Sequence, residues 1–526
     1  MRVIAVSHPV DLRVWPTPRD IKASHRHWTV GAELFFGLND RAAFWAEWLT
    51  FGPNVGPNVG PNVGPNVGPN EWCLNPLRQP CQPEAMRRTY GRKSIRILFA
   101  CVSICVALPT WSWSDHASLV WPLLRTQPNL MEQTVTAEPL EQFLIAQQAG
   151  IAQTLESVET WSLNTIEHYP PTPQSLEWDR VDEPTPARFF AAIRVNPTLP
   201  YRLYVDEPPA QSVSGRSLLP WQSLSFLSGG NSQLVTRYRS LAAGDPVTIA
   251  EVIASASDEP DFGMDVGLFE DNGTAFGAVY GFGKTPFGND NLDYGSQAPF
   301  HMGFYHLDWL TRMAQPDLLR TYPLWRIALF GELADLAFRT GHDYWGWRFL
   351  GWGLHYVGDL TQPYHAVPLP GVSTFDGLLL VARGQTGEAI QLVSNRHGVI
   401  ESYQYHRLTR ALVAGDWSAP ILLAVSAQPT DTPLSYDAMV HALTAESVEA
   451  AASFDAVIEA NVPERFVSDP DFEWTGSGYE SEVVEYVLEQ KGPVAVQRLD
   501  NAVIVQLQRF SVVASRWIAR GSASAE

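Results

Sequence analysis

Residues 355–365 read HYVGDLTQPYH, and this stretch indicates both a helix and a set of metal-ligating side chains. His355 and Asp359 are four residues apart, so they share one face of a helix. Pro363 should end that helix, because proline has no amide hydrogen and clashes with the preceding turn. His365 then follows in the turn just beyond, on the same side.

A second pair, His397 and Glu401, has the same spacing on a helix predicted over residues 385–414. Imidazole and carboxylate side chains at this spacing commonly hold a divalent metal between helices. One such pair is a weak signal, because many occur by chance on solvated faces. Two pairs together with the adjacent His365 favour a metal site.

The rest of the chain also indicates helices. Apolar residues spaced three and four apart predict helices in a series of segments: 136–168, 246–256, two within 301–362, 434–460 and 479–519. Segments rich in Pro, Ser, Gly, Asn or Asp predict irregular structure over 169–235 and a long loop over 262–300. Strand-like alternation is scarce. We therefore predict an all-α fold, a multi-helix bundle with long loops, and interpret the tryptophans at 345–352 as core residues.

Composition excludes several classes of protein. The 526 residues include 45% apolar residues, a globular value, and carry a formal charge of -20. Such acidity argues against tight binding of duplex DNA, because phosphate contacts need clustered Lys and Arg. No apolar run reaches the roughly 20 residues that a membrane-spanning helix needs, which excludes a multi-span membrane protein.

The first 112 residues differ from the remainder. They hold all four cysteines and carry 12 Lys and Arg against 7 Asp and Glu, which leaves 24 against 49 for residues 113–526. Residues 53–70 repeat Pro-Asn-Val-Gly, a pattern that forms neither helix nor strand. We predict that translation starts at Met86 and that residues 1–85 are a non-native or disordered leader.

Residues 86–112 have the three parts of a secretory signal peptide: a basic stretch, an apolar run over 97–108 and small residues at a cleavage site. The alternative is an uncleaved membrane anchor through residues 97–113. Cleavage after residue 112 would leave Trp113 first, and cleavage after residue 110 would leave Trp111 first. We expect a secreted or periplasmic protein whose mature domain spans 113–526.

These motifs resemble the signature of the zinc-dependent phospholipase C and P-one-type single-strand nuclease superfamily. Its pattern runs His-x-x-x-Asp, Gln-Pro, His, and then His-x-x-x-Asp/Glu on a later helix. The resemblance implies an all-α fold with up to three Zn²⁺ ions in a cleft. It also implies a mature chain that begins at a tryptophan, with a histidine ligand shortly after it, for which His116 stands in the right place.

Carried over residue by residue, the resemblance implies three zinc sites. The implied ligands are Asp258, His301, His355 and Asp359 for the first zinc, His365, His397 and Glu401 for the second, and Trp113 (or Trp111), His116 and the shared Asp359 for the third. Asp261 competes with Asp258, and His306 competes with His301. Nitrogen and oxygen ligands of these kinds suit zinc.

The resemblance implies an exported phosphodiester hydrolase, with Asp258 as the catalytic residue that orients water or takes its proton. The gap between His365 and His397 is longer than the family's usual one, contains apolar residues 378–381 and could form a lid or a substrate wall. We favour a phospholipase C type with transient membrane-surface contact. The alternatives are a single-strand nuclease acting on short nucleic acid and a non-catalytic zinc-stabilised binding protein.

Overall fold

Helices dominate the computed structural model, which describes residues 115–178, 183–207, 215–227, 238–289, 292, 294–426, 428 and 435–525. The α-helices of this described part are, in chain order, His116–Arg125 (α1), Pro128–Glu132 (α2), Leu140–Ala146 (α3), Gln148–Thr165 (α4), Pro186–Ala192 (α5), Ile249–Asp258 (α6), Ala298–His301 (α7), Trp309–Ala314 (α8), Pro323–Arg339 (α9), Asp343–Asp359 (α10), Pro363–Ala366 (α11), Thr374–Arg383 (α12), Thr386–Ala414 (α13), Pro420–Leu423 (α14), Tyr436–Asn461 (α15), Glu464–Val467 (α16), Val483–Lys491 (α17) and Pro493–Ala525 (α18). The prediction of an all-α fold is confirmed.

In the part of the chain that the structure describes, four three-residue strands form two small antiparallel pairs. Thr134–Thr136 (β1) pairs with Pro246–Thr248 (β4), and Tyr204–Asp206 (β2) pairs with Tyr238–Ser240 (β3). Residues 246–248 therefore form a strand where the sequence predicted the start of a helix. A strand of three residues is too short to produce a recognisable alternation of apolar and polar side chains.

The central helix of the bundle is α10, which packs against α9, α6 and α18. Trp345, Trp347 and Trp352 on α10 are at most 3% exposed, so their predicted place in the core is confirmed. At Gly351 the two helices α10 and α6 approach closely: a Cβ added there would lie 2.6 Å from Ala256 Cβ. This close approach brings the end of α6 to the face of α10 that carries the candidate ligands.

Local sequence signals fix where α6 and α11 begin. Thr248 caps α6 through a capping box with Glu251, in which each side chain binds the other residue's backbone N–H. Pro363 occupies the first position of α11, where the missing N–H has no cost. The helix predicted to end before Pro363 does so, at Asp359.

Two predicted helices are each divided. The segment 136–168 forms α3 and α4, which are separated at Gln147, and 479–519 forms α17 and α18, which are separated at Gly492 with φ 85°. The leader 1–85, the signal segment 86–112, Trp111 and Trp113 lie outside the described residues. Among the residues that are described, no helix combines the length and apolar character that a membrane span needs.

Candidate metal centre

Two helices bring His301, His355 and Asp359 together in a buried group, here named the first cluster. His301 ends α7, and the other two residues lie one turn apart on α10. Asp359 Oδ2 lies 2.9 Å from His301 Nδ1 and 3.4 Å from His355 Nε2, and these two nitrogens are 3.1 Å apart. The three side chains therefore point their ligand atoms at one place, as a metal ion would require.

A second cluster consists of His365, His397 and Glu401. His365 is carried by α11, and the other two lie one turn apart on α13. Glu401 Oε1 lies 2.6 Å from His397 Nε2 and 3.8 Å from His365 Nε2. Both predicted i, i+4 pairs thus share a helix face, and each pair is joined by one further histidine, His301 in the first cluster and His365 in the second.

Backbone carbonyls orient one histidine of each cluster. His355 Nδ1 lies 2.9 Å from the carbonyl oxygen of Ser257, and His365 Nδ1 lies 2.9 Å from that of His301. Because a carbonyl oxygen only accepts hydrogen bonds, each Nδ1 must carry the proton. Each Nε2 therefore turns a lone pair towards the carboxylate of its cluster, which is the arrangement of a metal-ligating histidine.

The charges of the clusters also fit a cation. Asp359 and Glu401 are buried, and within the described ranges neither carboxylate pairs with Lys or Arg. Burial opposes protonation of His301, but Asp359 and Asp265 outweigh burial and raise its pKa to about 10. Burial raises the pKa of Glu401 well above its ordinary value. His301 in the first cluster and Glu401 in the second therefore favour the protonated form, and a divalent cation can replace that proton.

His116 and Asp261 extend the first cluster. His116 Nε2 lies 3.2 Å from Asp359 Oδ1, and the His116 ring lies against that of His355 with centroids 3.9 Å apart. Asp261 Oδ1 lies 3.7 Å from His355 Nε2 and 3.9 Å from His301 Nδ1. His116, Asp261 and His355 form a third group that could hold a metal ion.

Asp258 and His306 are placed differently. Asp258 Oδ1 accepts a hydrogen bond of 2.9 Å from the backbone N–H of His116, and Asp258 joins none of the three groups found in the described part of the chain. His306 Nε2 lies 3.0 Å from both the carbonyl oxygen of His441 and Thr444 Oγ1. Of the alternatives that the sequence left open, the structure thus brings Asp261 and His301 into the centre.

Asp265 is a residue of the centre that sequence reasoning missed. Its Oδ2 lies 3.4 Å from His301 Nε2, on the ring edge opposite Asp359. It stands in the loop Gly-Met-Asp-Val-Gly between Gly263 and Gly267, both of which have positive φ. The feature in the sequence that could have pointed to Asp265 was an aspartate flanked by two apolar residues and two glycines, but it lies far from His301 along the chain. Burial works to raise the pKa of Asp265, but the Arg326 guanidinium, His301 and Tyr356 together outweigh burial and lower it.

An apolar cavity of about 300 Å³ lies beside the second cluster. Its wall begins at Ala366, directly after His365, and includes Leu378 and Val381 of α12 and Ile390 of α13. The long segment between His365 and His397 therefore forms α12 and one side of this cavity. No residue of α12 is fully buried. Trp309, Met313 and Phe375, which adjoin the lining residues Asp308, Ala314 and Thr374 in sequence, are 70%, 72% and 73% exposed.

Comparison of the chain with protein-family models, with curated proteins and with solved structures gave no match. The class of site is therefore defined by its geometry alone. It is a set of buried histidine and carboxylate clusters that could hold metal ions.

Proposed function

We propose that this protein is an exported, zinc-dependent phosphodiester hydrolase of the phospholipase C type. The observation that carries the proposal is the pair of adjacent clusters, in which two carboxylates and four histidines turn their ligand atoms inward. His301 links the two clusters, because its side chain lies in the first and its carbonyl oxygen accepts the Nδ1–H of His365 in the second. Sites that combine imidazole and carboxylate ligands in this way suit zinc.

The proposed ligands are those of the two clusters together with His116. His301, His355 and Asp359 would hold one zinc, and His365, His397 and Glu401 would hold another. His116, which lies 3.2 Å from Asp359, would serve a third zinc together with the shared Asp359 and an N-terminal Trp113 (or Trp111). Zinc, when bound, supplies positive charge that offsets the charge of a phosphodiester and makes water more acidic.

Asp261 is the carboxylate best placed to act on water. Its side chain is 24% exposed, and its Oδ1 faces His301 and His355. Asp258, the base expected from the sequence, is buried, and its Oδ1 accepts a hydrogen bond from the backbone N–H of His116. In the proposed reaction, the oxygen of water attacks phosphorus and its proton passes to Asp261. The bond from phosphorus to the leaving oxygen breaks, and that oxygen takes a proton from solvent.

The cavity beside His365 supports a phospholipid substrate. A phosphodiester held at the clusters would place an attached acyl chain against the apolar residues of α12 and α13. Trp309, Met313 and Phe375 are exposed and adjoin lining residues in sequence, so they suit transient contact with a membrane surface, since aromatic side chains favour the membrane interface. A polynucleotide has no apolar tail to occupy this cavity, and the acidity of the chain opposes its approach.

The test is a zinc-dependence assay on three substrates: phosphatidylcholine vesicles, a soluble phosphodiester and single-stranded DNA. We expect hydrolysis of the vesicles and of the soluble diester, loss of both with a chelator and recovery with added zinc. Cleavage of DNA without cleavage of phospholipid would refute the proposal and favour the alternative, a single-strand nuclease. Zinc binding without any hydrolysis would favour the other alternative, a non-catalytic zinc-stabilised binding protein.

Two matched variants test the proposed base. Asp261→Asn should lower the turnover number by about 100-fold or more, the effect of losing a general base, while zinc content stays near that of the wild type. Asp258→Asn should lower stability more than turnover at equal zinc content. The reverse order of turnover numbers would return the catalytic role to Asp258.

A further inference from the structure

Behind the first cluster lies a buried set of three side chains, Asp265, Arg326 and Tyr356, none of which is a predicted ligand. Asp265 Oδ1 accepts hydrogen bonds from Arg326 Nε at 3.0 Å and Nη2 at 2.5 Å. Asp265 Oδ2 accepts one from the Tyr356 hydroxyl at 2.5 Å. Both carboxylate oxygens are therefore fixed in direction.

The arginine of this set is itself immobilised. Arg326 Nη1 donates to the carbonyl oxygen of Ile193 at 2.8 Å, and Nη2 donates to that of Arg194 at 2.9 Å. The guanidinium also lies 4.3 Å from the centre of the Trp325 ring. A carboxylate held by an arginine with this many contacts cannot swing away from its position without breaking several hydrogen bonds.

Asp265 and Asp359 lie beside different nitrogens of His301. Asp265 Oδ2 lies 3.4 Å from Nε2, whereas Asp359 Oδ2 lies 2.9 Å from Nδ1. With a metal ion bound at the cluster, Asp359 would bind that ion, and Asp265 would remain as the carboxylate that favours a proton on Nε2. The lone pair of Nδ1 would then be directed at the cluster. His355 and His365 are held in the opposite sense, with Nδ1 on a carbonyl oxygen and Nε2 turned inward.

We propose that Asp265, anchored by Arg326 and Tyr356, is a positioning residue of the metal centre that sets His301 to bind metal through Nδ1. A carboxylate on the far nitrogen orients the imidazole ring and increases its basicity, and loss of such a partner weakens metal binding by about 10- to 100-fold. The inference rests on the metal centre of the proposed function. It adds a residue that does not itself contact the metal.

The experiment measures zinc affinity of the full chain by competition with a chelator. Asp265→Asn keeps the shape of the side chain and removes its charge, and it should weaken one class of bound zinc by about 10- to 100-fold. Cobalt substituted for zinc gives a second readout, since a turned or displaced His301 changes the visible absorption of the bound cobalt. Far-UV circular dichroism of the zinc-free chain shows whether the variant is folded.

The chain offers a matched control in Asp500. It binds the hydroxyl of Tyr403 at 2.8 Å and the guanidinium of Arg407 at 2.8 and 2.6 Å, so it is another aspartate held by a tyrosine and an arginine. These contacts include no candidate metal ligand. Asp500→Asn should therefore leave zinc affinity and the cobalt spectrum unchanged.

Unchanged zinc affinity in a folded Asp265→Asn variant overturns the proposal, and so does an equal loss of affinity in Asp500→Asn. If Asp265→Asn does not fold, Tyr356→Phe takes its place, because this change keeps the ring and removes only the hydroxyl that fixes Oδ2. It must then weaken zinc binding, or the proposal fails. These outcomes are independent of hydrolysis: zinc affinity that depends on Asp265 in a chain that cleaves no phosphodiester would refute the proposed function alone.

Discussion

The contact between α6 and α10 can be tested by adding a single methyl group at Gly351. In Gly351→Ala the new Cβ would lie 2.6 Å from Ala256 Cβ, 3.0 Å from the carbonyl oxygen of Ile253 and 3.3 Å from the amide nitrogen of Ser257. Carbon atoms in contact are about 3.5–4.0 Å apart, so the two helices must separate by roughly 1 Å. No flexible side chain is available to move aside instead.

The size of the effect follows from two opposing contributions. Overpacking costs about 1–3 kcal/mol. Because two of the three contacts at Gly351 are with backbone atoms, which cannot move aside, we expect a cost of about 3 kcal/mol at this site. Alanine is better than glycine in a helix by about 1 kcal/mol. We therefore expect Gly351→Ala to lower the free energy of unfolding by about 2 kcal/mol. Zinc affinity should fall as well, because α6 carries the Ser257 carbonyl that orients His355.

Urea unfolding of the zinc-free chain measures the first effect, and chelator competition measures the second. The matched control is Gly377→Ala in α12, where an added Cβ meets no atom within 4 Å. There only the helix preference remains, so this variant should gain about 0.5–1 kcal/mol and bind zinc normally. Equal stability changes in the two variants would refute the reasoning, since packing would then not distinguish the sites.

Three further predictions concern a helix cap, a buried histidine and two exposed aromatic side chains. Thr248→Ala should lower the free energy of unfolding by about 1 kcal/mol, measured by urea, because it removes the side-chain cap of α6. Burial lowers the pKa of His406 from 6.5, so only the unfolded chain gains a proton as the pH falls through that value. Stability should therefore drop below about pH 6.5, and the drop should be smaller in His406→Gln, as urea midpoints at several pH values would show. Serine at Trp309 and Phe375 should slow hydrolysis of phosphatidylcholine vesicles about tenfold and leave a soluble diester unaffected, which paired rate assays would check.

The helices that carry the clusters could be predicted because their signals are local. A spacing of four residues places His355 with Asp359, and His397 with Glu401, on one helix face whatever the rest of the fold does. Pro363 separates α10 from α11 through the geometry of its own ring. The division of the segment 136–168 at Gln147 carried no comparable signal, and it was missed.

The choice between Asp258 and Asp261 could not be made from the sequence. The two residues are three positions apart at the end of α6, and either would satisfy the pattern. The short 3-10 turn that follows α6 directs Asp261 towards His301 and His355, while Asp258 accepts the N–H of His116. The direction of a side chain after a helix ends depends on what packs around the turn.

The sequence by itself determined the helical class, the two ligand pairs and the place of His365 just beyond the helix that Pro363 ends, because helix periodicity and proline act over a few residues. Only the tertiary structure decided that His301 joins the first cluster, that Asp265 stands behind it and that α12 lines a cavity beside His365. These relations join residues far apart in the chain. They depend on how α6, α7, α10 and α13 pack against one another. That packing is determined by side chains from the whole close-packed core, so no single segment of the sequence predicts it.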